Sequence, residues 1–144
     1  MKRKSKAALL IAGLLMVSFG FLVYALFHGY FDRGQFEVQS VRWSPSNQVA
    51  IVAERSDNEA LSGYTYFVVI GDHVLSPGEL RRAYYSSAVV FAAGDSCVKL
   101  HWQGSETLVI SCDGPTLMRE HIEVEKRQSG STAVLYENIP LKEP

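Results

Sequence analysis

Charged residues punctuate this chain at short intervals, with one exception. From Ala7 to Phe27 run twenty-one residues without a charge. At ~1.5 Å rise per residue the run makes a helix of about 31 Å, against a hydrocarbon core of about 30 Å. Its weakly polar members are Ser18 and Tyr24, and the Ser18 hydroxyl can bond back to a carbonyl one turn earlier. No polar face exists, so the pattern predicts a membrane helix over 7–28 and argues against a buried core helix. No Asp, Glu, Lys or Arg lies inside the run, which removes the usual mark of an ion path, and Ala8 and Ala12 form one small-xxx-small pair. A passive anchor is the simplest reading.

Beyond the aromatic cluster Tyr24, Phe27, Tyr30 and Phe31 the apolar period changes to two. Phe36–Trp43 reads as a strand whose phase slips between Val38 and Val41, predicting a bulge near Ser40. Ser44-Pro45-Ser46-Asn47 is a turn. Val49–Glu54 is apolar enough to be a central strand, and Ser56–Gly63 is a polar loop. Tyr64–Ile70 has the highest β propensity in the chain. Ser76-Pro77-Gly78-Glu79 has the form of a capping box with Pro at the first helical position, predicting one short helix over Pro77–Ala83. Ala88–Ala92 is a further strand. Cys97–Gln103 and Glu106–Cys112 read as a hairpin, then Asp113-Gly114-Pro115 as a turn. His121–Lys126 and Thr132–Glu137 read as a final hairpin around Ser129-Gly130.

About eight short strands with tight turns predict a mainly β protein: one N-terminal transmembrane helix, then a small antiparallel β-sandwich or barrel-like domain with one short helix. The expected boundaries are a basic stub at 1–6, the span at 7–28, a linker at 29–35, the β domain at 36–139 and a loose tail at 140–144.

Charge orients this arrangement. Lys2, Arg3, Lys4 and Lys6 precede the run, while Asp32 and Arg33 just after it cancel. The positive-inside rule places the N-terminus in the cytoplasm and the β domain on the other side of the membrane, the aromatic cluster lying at headgroup level. A cleaved signal peptide is the alternative, with Val23 and Ala25 as the small residues before a cut at Leu26. The run is longer than the usual ~7–15 residues of such a region, and bulky residues follow the cut, so an uncleaved signal anchor is favoured. All fifteen acidic residues lie after the span against ten basic ones, giving the exported part a charge of −5. An acidic domain without a basic cluster argues against nucleic acid as a partner.

The two cysteines, Cys97 and Cys112, fit one bridge in an oxidising compartment. A two-residue turn at Gly104-Ser105 would place them directly opposite each other, within reach of a cross-strand disulfide.

Catalytic and metal chemistry find little support. His28, His73, His101 and His121 show no metal-ligand spacing. No G-x-S-x-G and no Gly-rich phosphate loop is present. Glu120, Glu123 and Glu125 read as a solvated strand face. Gly94-Asp95-Ser96 resembles the start of a GDS-type esterase, but the later Asp-x-x-His and the larger α/β frame of those enzymes are missing. Asp95 reads more simply as a turn residue. Arg81-Arg82 beside Tyr84 and Tyr85 is the one basic–aromatic cluster.

Trp43-Ser44-Pro45-Ser46-Asn47 resembles the Trp-Ser-Pro-Asp-Gly turn of periplasmic β-propeller blades, with Ser46 and Asn47 in place of Asp and Gly; the motif occurs once, and the chain is too short for the several blades of a propeller. Basic start, one span, Ser-Pro turn and cysteine-paired β domain together resemble uncharacterised bacterial single-pass membrane-anchored proteins, a group that implies no activity. The expectation is a non-enzymatic, cofactor-free interaction module. It would be held in the bilayer by 7–28 and would meet an envelope protein through Tyr64, Tyr66, Arg81, Arg82, Tyr84 and Tyr85, tyrosine giving large contact area at low entropy cost. Rival expectations are an immunity-type inhibitor of an exported toxin and a membrane-tethered hydrolase.

Overall fold

The computed structural model describes residues 2–28, 34–57, 63–113 and 117–142, with side chains from Lys6 onward. The expectations for Tyr30 to Arg33, for most of the Ser56–Gly63 loop and for Gly114-Pro115 lie outside the described residues. The chain forms two compact units, Met1–Asp32 and Arg33–Pro144.

The first unit is a single helix, α1 (Lys2–Phe27). Its segment Lys6–Phe27 is long and apolar enough to cross a membrane. Leu9, Leu14, Met16, Phe19 and Phe21, on several sides of the helix, are each 66–78% exposed. Side chains of this kind gain roughly 1.5–3 kcal/mol each on leaving water, so α1 is unsuited to an aqueous surface. At its end His28 Nδ1 lies 3.0 Å from the Tyr24 carbonyl oxygen, and the two rings stack at 4.0 Å.

The second unit is mainly β. Its strands are β1 (Gln35–Trp43), β2 (Val49–Ser56), β3 (Thr65–Gly71), β4 (Val89–Ala93), β5 (Val98–Trp102), β6 (Thr107–Cys112), β7 (Ile122–Glu125), β8 (Gln128–Ser129) and β9 (Thr132–Glu137). Among the described residues the one further α-helix is α2 (Pro77–Tyr84), and a 3-10 turn, Arg119–His121, precedes β7. Sheet A has the order β1-β2-β3-β4-β7, and sheet B the order β5-β6-β9-β8.

Sheet A is apolar on both faces. In β2, Ala50 and Val52 point to one side while Val49, Ile51 and Ala53 point to the other. The first face meets sheet B, where Leu100, Leu108, Ile110 and Val134 complete the core. The second face is covered by α2, with Leu80 fully buried beside Phe67 and Val69. Alternation along the strands therefore sorts residues into two cores on either side of one sheet. The expected bulge in β1 falls at Gln39, between the pairs Val38–Ala53 and Ser40–Val52. A second bulge at Val90 in β4 lets Val90 and Phe91 both join the core between the sheets.

Two regions tie the sheets together. In the Ser-Pro turn, the Ser44 and Gln48 backbones pair, the Ser44 hydroxyl accepts from the Gln48 N–H at 3.0 Å, and Asn47 takes the left-handed conformation at φ 61°. Asn is one of the few non-glycine residues that visits this region readily. From the same turn Ser46 Oγ donates to the Ser105 carbonyl at 3.0 Å, and Gln48 Oε1 accepts from the buried Thr132 hydroxyl at 3.0 Å. Alongside, Trp102 Nε1 donates to the Arg42 carbonyl at 2.9 Å. The other tie is the crossing from β7 to β8. Tyr136 donates to the Lys126 carbonyl at 2.6 Å, and the Arg127 guanidinium lies 5.5 Å from the Tyr136 ring centre. Burial pushes the Tyr136 phenol up to about 12, so it stays a donor at any ordinary pH.

Three sequence expectations need correction. First, β7 and β9 are not a hairpin. β7 pairs with β4 in sheet A, and β9 pairs with β6 in sheet B, leaving only the two-residue β8 as its hairpin partner. Ile122 and Val134 reach one core from opposite sheets, and alternation alone cannot separate that arrangement from adjacent strands. Second, β6 and β9 run parallel, so sheet B is mixed rather than wholly antiparallel. Third, the cysteine hairpin has a three-residue loop, Gly104 to Glu106, closed by Gln103 N–H to the Thr107 carbonyl at 2.8 Å. The register places Val98, not Cys97, opposite Cys112.

The disulfide forms nonetheless, with a Cα–Cα distance of 4.9 Å between Cys97 and Cys112. Cys97 sits in the turn just before β5, where its side chain is free of the strict in–out alternation of a strand. The tail also docks: Ile139 packs on the core and the Lys142 N–H donates to Glu125.

Closing a loop with a separation of 15 residues contributes about 3 kcal/mol. The double variant Cys97→Ser/Cys112→Ser is expected to lose that amount in urea unfolding of the full chain in micelles, followed by tryptophan fluorescence. An unchanged midpoint would show that the bridge does not constrain the unfolded chain.

Candidate functional site

Four strand ends converge at one end of sheet A. The last residues of β2 and β4 meet the first residues of β3 and β7, because all of these neighbours are antiparallel. Between them lies an open cleft of about 480 Å³. Arg55 lines it from β2 and Asp57 from just after it, Tyr64 from the approach to β3, Asp95 from beyond the end of β4, His121 from the 3-10 turn and Glu123 from β7. Glu120 lines the same cleft.

The arrangement is fixed by short contacts. Gly94 N–H donates to the His121 carbonyl at 3.1 Å, which holds the end of β4 against the 3-10 turn. His121 Nδ1 lies 3.1 Å from Asp95 Oδ2, so the carboxylate orients the imidazole. Arg55 pairs with Asp57 at 2.6 Å, and its guanidinium lies 5.3 Å from the Tyr84 ring centre. His121 and Asp95 are 48% and 42% exposed, so water reaches both. Among the described residues no hydroxyl is hydrogen-bonded to His121, and no nucleophile–base relay of the kind used in covalent catalysis is assembled.

The histidines are dispersed. His73 follows β3 at the opposite end of sheet A, next to the start of β2, and His101 stands exposed on β5. Among the described residues no group of three His, Cys, Asp or Glu is placed to hold a metal ion.

The six tyrosines and arginines singled out in the sequence are spread over the cleft, the core between the sheets and the α2 side of sheet A. Tyr64 is 56% exposed and lines the cleft. Tyr66, two residues on, is partly buried against the core between the sheets. Burial first, and then the Glu54 carboxylate across the strand pair, raise its phenol above the ordinary value. Tyr84 and Tyr85 belong to the other core. Tyr84 meets Phe67 at 5.0 Å, Phe36 at 5.7 Å and Tyr85 at 5.1 Å in edge-on contacts. Arg81 lines a second depression, of about 450 Å³, between β1 and α2, with Phe36, Glu37 and Glu54, and Arg82 is exposed. The contact between Asp95 and His121 spans 26 residues, and no local motif announces it. The one sequence signal was the Gly94-Asp95 turn directly after a buried strand.

No protein-family model, curated protein or solved structure matches this chain.

Side-chain truncation separates contact residues from packing residues. Tyr64→Ala and Arg82→Ala are expected to change unfolding free energy by no more than about 0.5 kcal/mol. Tyr84→Ala is expected to cost about 2–4 kcal/mol through the cavity left among Phe36, Phe67 and Leu80. Urea titration of the three variants checks this, and a Tyr84→Ala protein as stable as the wild type would show that the aromatic cluster contributes nothing to the fold.

Proposed function

We propose that the protein is a single-pass, membrane-anchored interaction module whose disulfide-stapled β domain acts outside the cytoplasm. The observation that carries this reading is a helix apolar on all sides joined to a separate folded β unit. A bilayer is the solvent that suits such a helix, and the basic residues before it favour a cytoplasmic N-terminus. The Cys97–Cys112 bridge fits an oxidising compartment beyond the membrane. In this reading the anchor confines the domain near the bilayer, and Tyr64 with the cleft beside it offers the contact surface to an envelope protein.

A second reading, a membrane-tethered hydrolase, draws on the His121–Asp95 pair in a polar cleft. It requires His121 to activate water or a substrate hydroxyl as a general base.

The test is site-specific photo-crosslinking in cells from position 64, with position 101 on β5 as the control, combined with membrane fractionation. The expected result is one envelope-protein adduct from position 64, and a full-length chain that stays in the membrane after an alkaline wash. Absence of any adduct under all growth conditions would overturn the interaction reading, and a mature N-terminus at Leu26 would overturn the anchor. Turnover of a simple ester or peptide by the purified chain, lost in His121→Ala, would replace the first reading by the second.

A further inference from the structure

At the end of sheet A opposite the cleft, the chain leaves β3 through Gly71, Asp72 and His73 and enters α2 after Ser76. His73 is held from both sides. Its Nδ1 lies 2.6 Å from Asp72 Oδ1 and its Nε2 lies 3.1 Å from Glu79 Oε1. The second Glu79 oxygen accepts from the Ser76 N–H at 2.8 Å and from the Ser76 hydroxyl at 2.7 Å. One carboxylate in the first turn of α2 thus secures both the helix start and the loop before it.

The hydrogen count decides the protonation state of this arrangement. An ionised carboxylate only accepts, and a neutral imidazole has one N–H and one lone pair. A neutral His73 would turn its lone pair towards one of the two carboxylate oxygens. Only the imidazolium donates on both sides. We propose that His73, clasped between Asp72 and Glu79, is a proton-sensitive latch that fastens the β3–α2 loop to the first turn of α2.

The electrostatics agree with the geometry. The Asp72 contact, then the Glu79 contact, raise His73 above its ordinary 6.5. Glu79 is held down to about 2, first by the Ser76 N–H, then by the Ser76 hydroxyl and His73. Asp72 is lowered chiefly by its bond to His73. The charged groups facing His73 are Asp72 from its own loop and Glu79 from α2. Val49, paired with Gly71 from β2, brings no charge, and Arg82, three residues beyond Glu79, makes no described ion pair with it. His73 has a raised folded pKa, so its contribution is complete below about 6.5 and lost as pH rises through that raised value. Glu79 has a depressed one, so its contribution is complete above 4.5 and lost as pH falls towards about 2. The latch is therefore closed in mildly acidic conditions and opens on the alkaline side. Opening frees the segment that carries the exposed Val74, while the bonds between Glu79 and Ser76 keep α2 capped.

The experiment is amide hydrogen exchange of the full chain in micelles at pH 5.5 and 8.5, corrected for intrinsic rates, with a histidine proton titration. In the wild type, opening of residues 72–75 is expected to increase about two- to five-fold at the higher pH, the range of an exposed ion pair. Amides of β2 and β3 should keep their protection, and the His73 midpoint should lie above 6.5. His73→Gln should remove the pH dependence, with exchange at both pH values near that of the wild type at pH 8.5. Asp72→Asn keeps the ring and lowers its midpoint, which tests the latch even where His73→Gln disturbs folding. A wild-type His73 midpoint at or below 6.5, or exchange of 72–75 equally independent of pH in wild type and His73→Gln, would overturn the proposal.

Discussion

Sheet A carries apolar side chains on both faces, and the rest of the β unit is arranged to keep water from each of them. β2 is the sharpest case. Val49 to Ala53 are all buried, alternating between the side that meets sheet B and the side that meets α2. A sheet with one solvated face needs one partner, whereas a sheet of this composition needs two. Leu80, Leu75 and Tyr84 close one side, and sheet B closes the other. This explains why a domain with so little helix keeps one short helix, and why that helix is pinned at its start by Ser76, Glu79 and His73.

The second dependence is between the sheets. Sheet B reaches sheet A through the Ser44–Gln48 turn, the Trp102–Arg42 contact and the crossing held by Tyr136. All three are polar contacts, those of Ser46 and Trp102 exposed and that of Tyr136 partly buried, and each fixes a position that apolar packing alone leaves free to slide. The disulfide adds a covalent constraint at the far end of the cysteine hairpin. These polar contacts supply the specificity, while Val, Leu, Ile and Phe supply the burial.

The cleft of His121 and Asp95 follows from the topology. Sheet A is antiparallel throughout, so alternate strands begin and end at the same edge. Polar residues at those ends need not pack in either core. They gather in an open space, and Arg55 connects them to the aromatic cluster under α2. The site and the core are thus coupled through one side chain.

Local residue pattern determined a good deal of this protein. The charge-free run fixes α1, because a helix apolar on all sides is set by composition alone. Period-two alternation locates nearly every strand of the β unit, the phase slip near Ser40 marks the bulge, and Ser76-Pro77-Gly78-Glu79 marks the start of α2, since each is a matter of neighbours within a few residues. The cysteine pair was also legible, although for a slightly wrong reason: the loop is one residue longer, and Cys97 reaches Cys112 from a turn rather than from a ladder position. Only the tertiary structure decided that β7 and β9 part company into different sheets, that β9 runs parallel to β6, and that Asp95 meets His121. Alternation tells which face a residue takes, but neither which strand lies beside it nor in which direction that strand runs. Those choices depend on how two sheets and a helix fill space together, and they spread the tyrosines expected to form one surface over the cleft and the two cores.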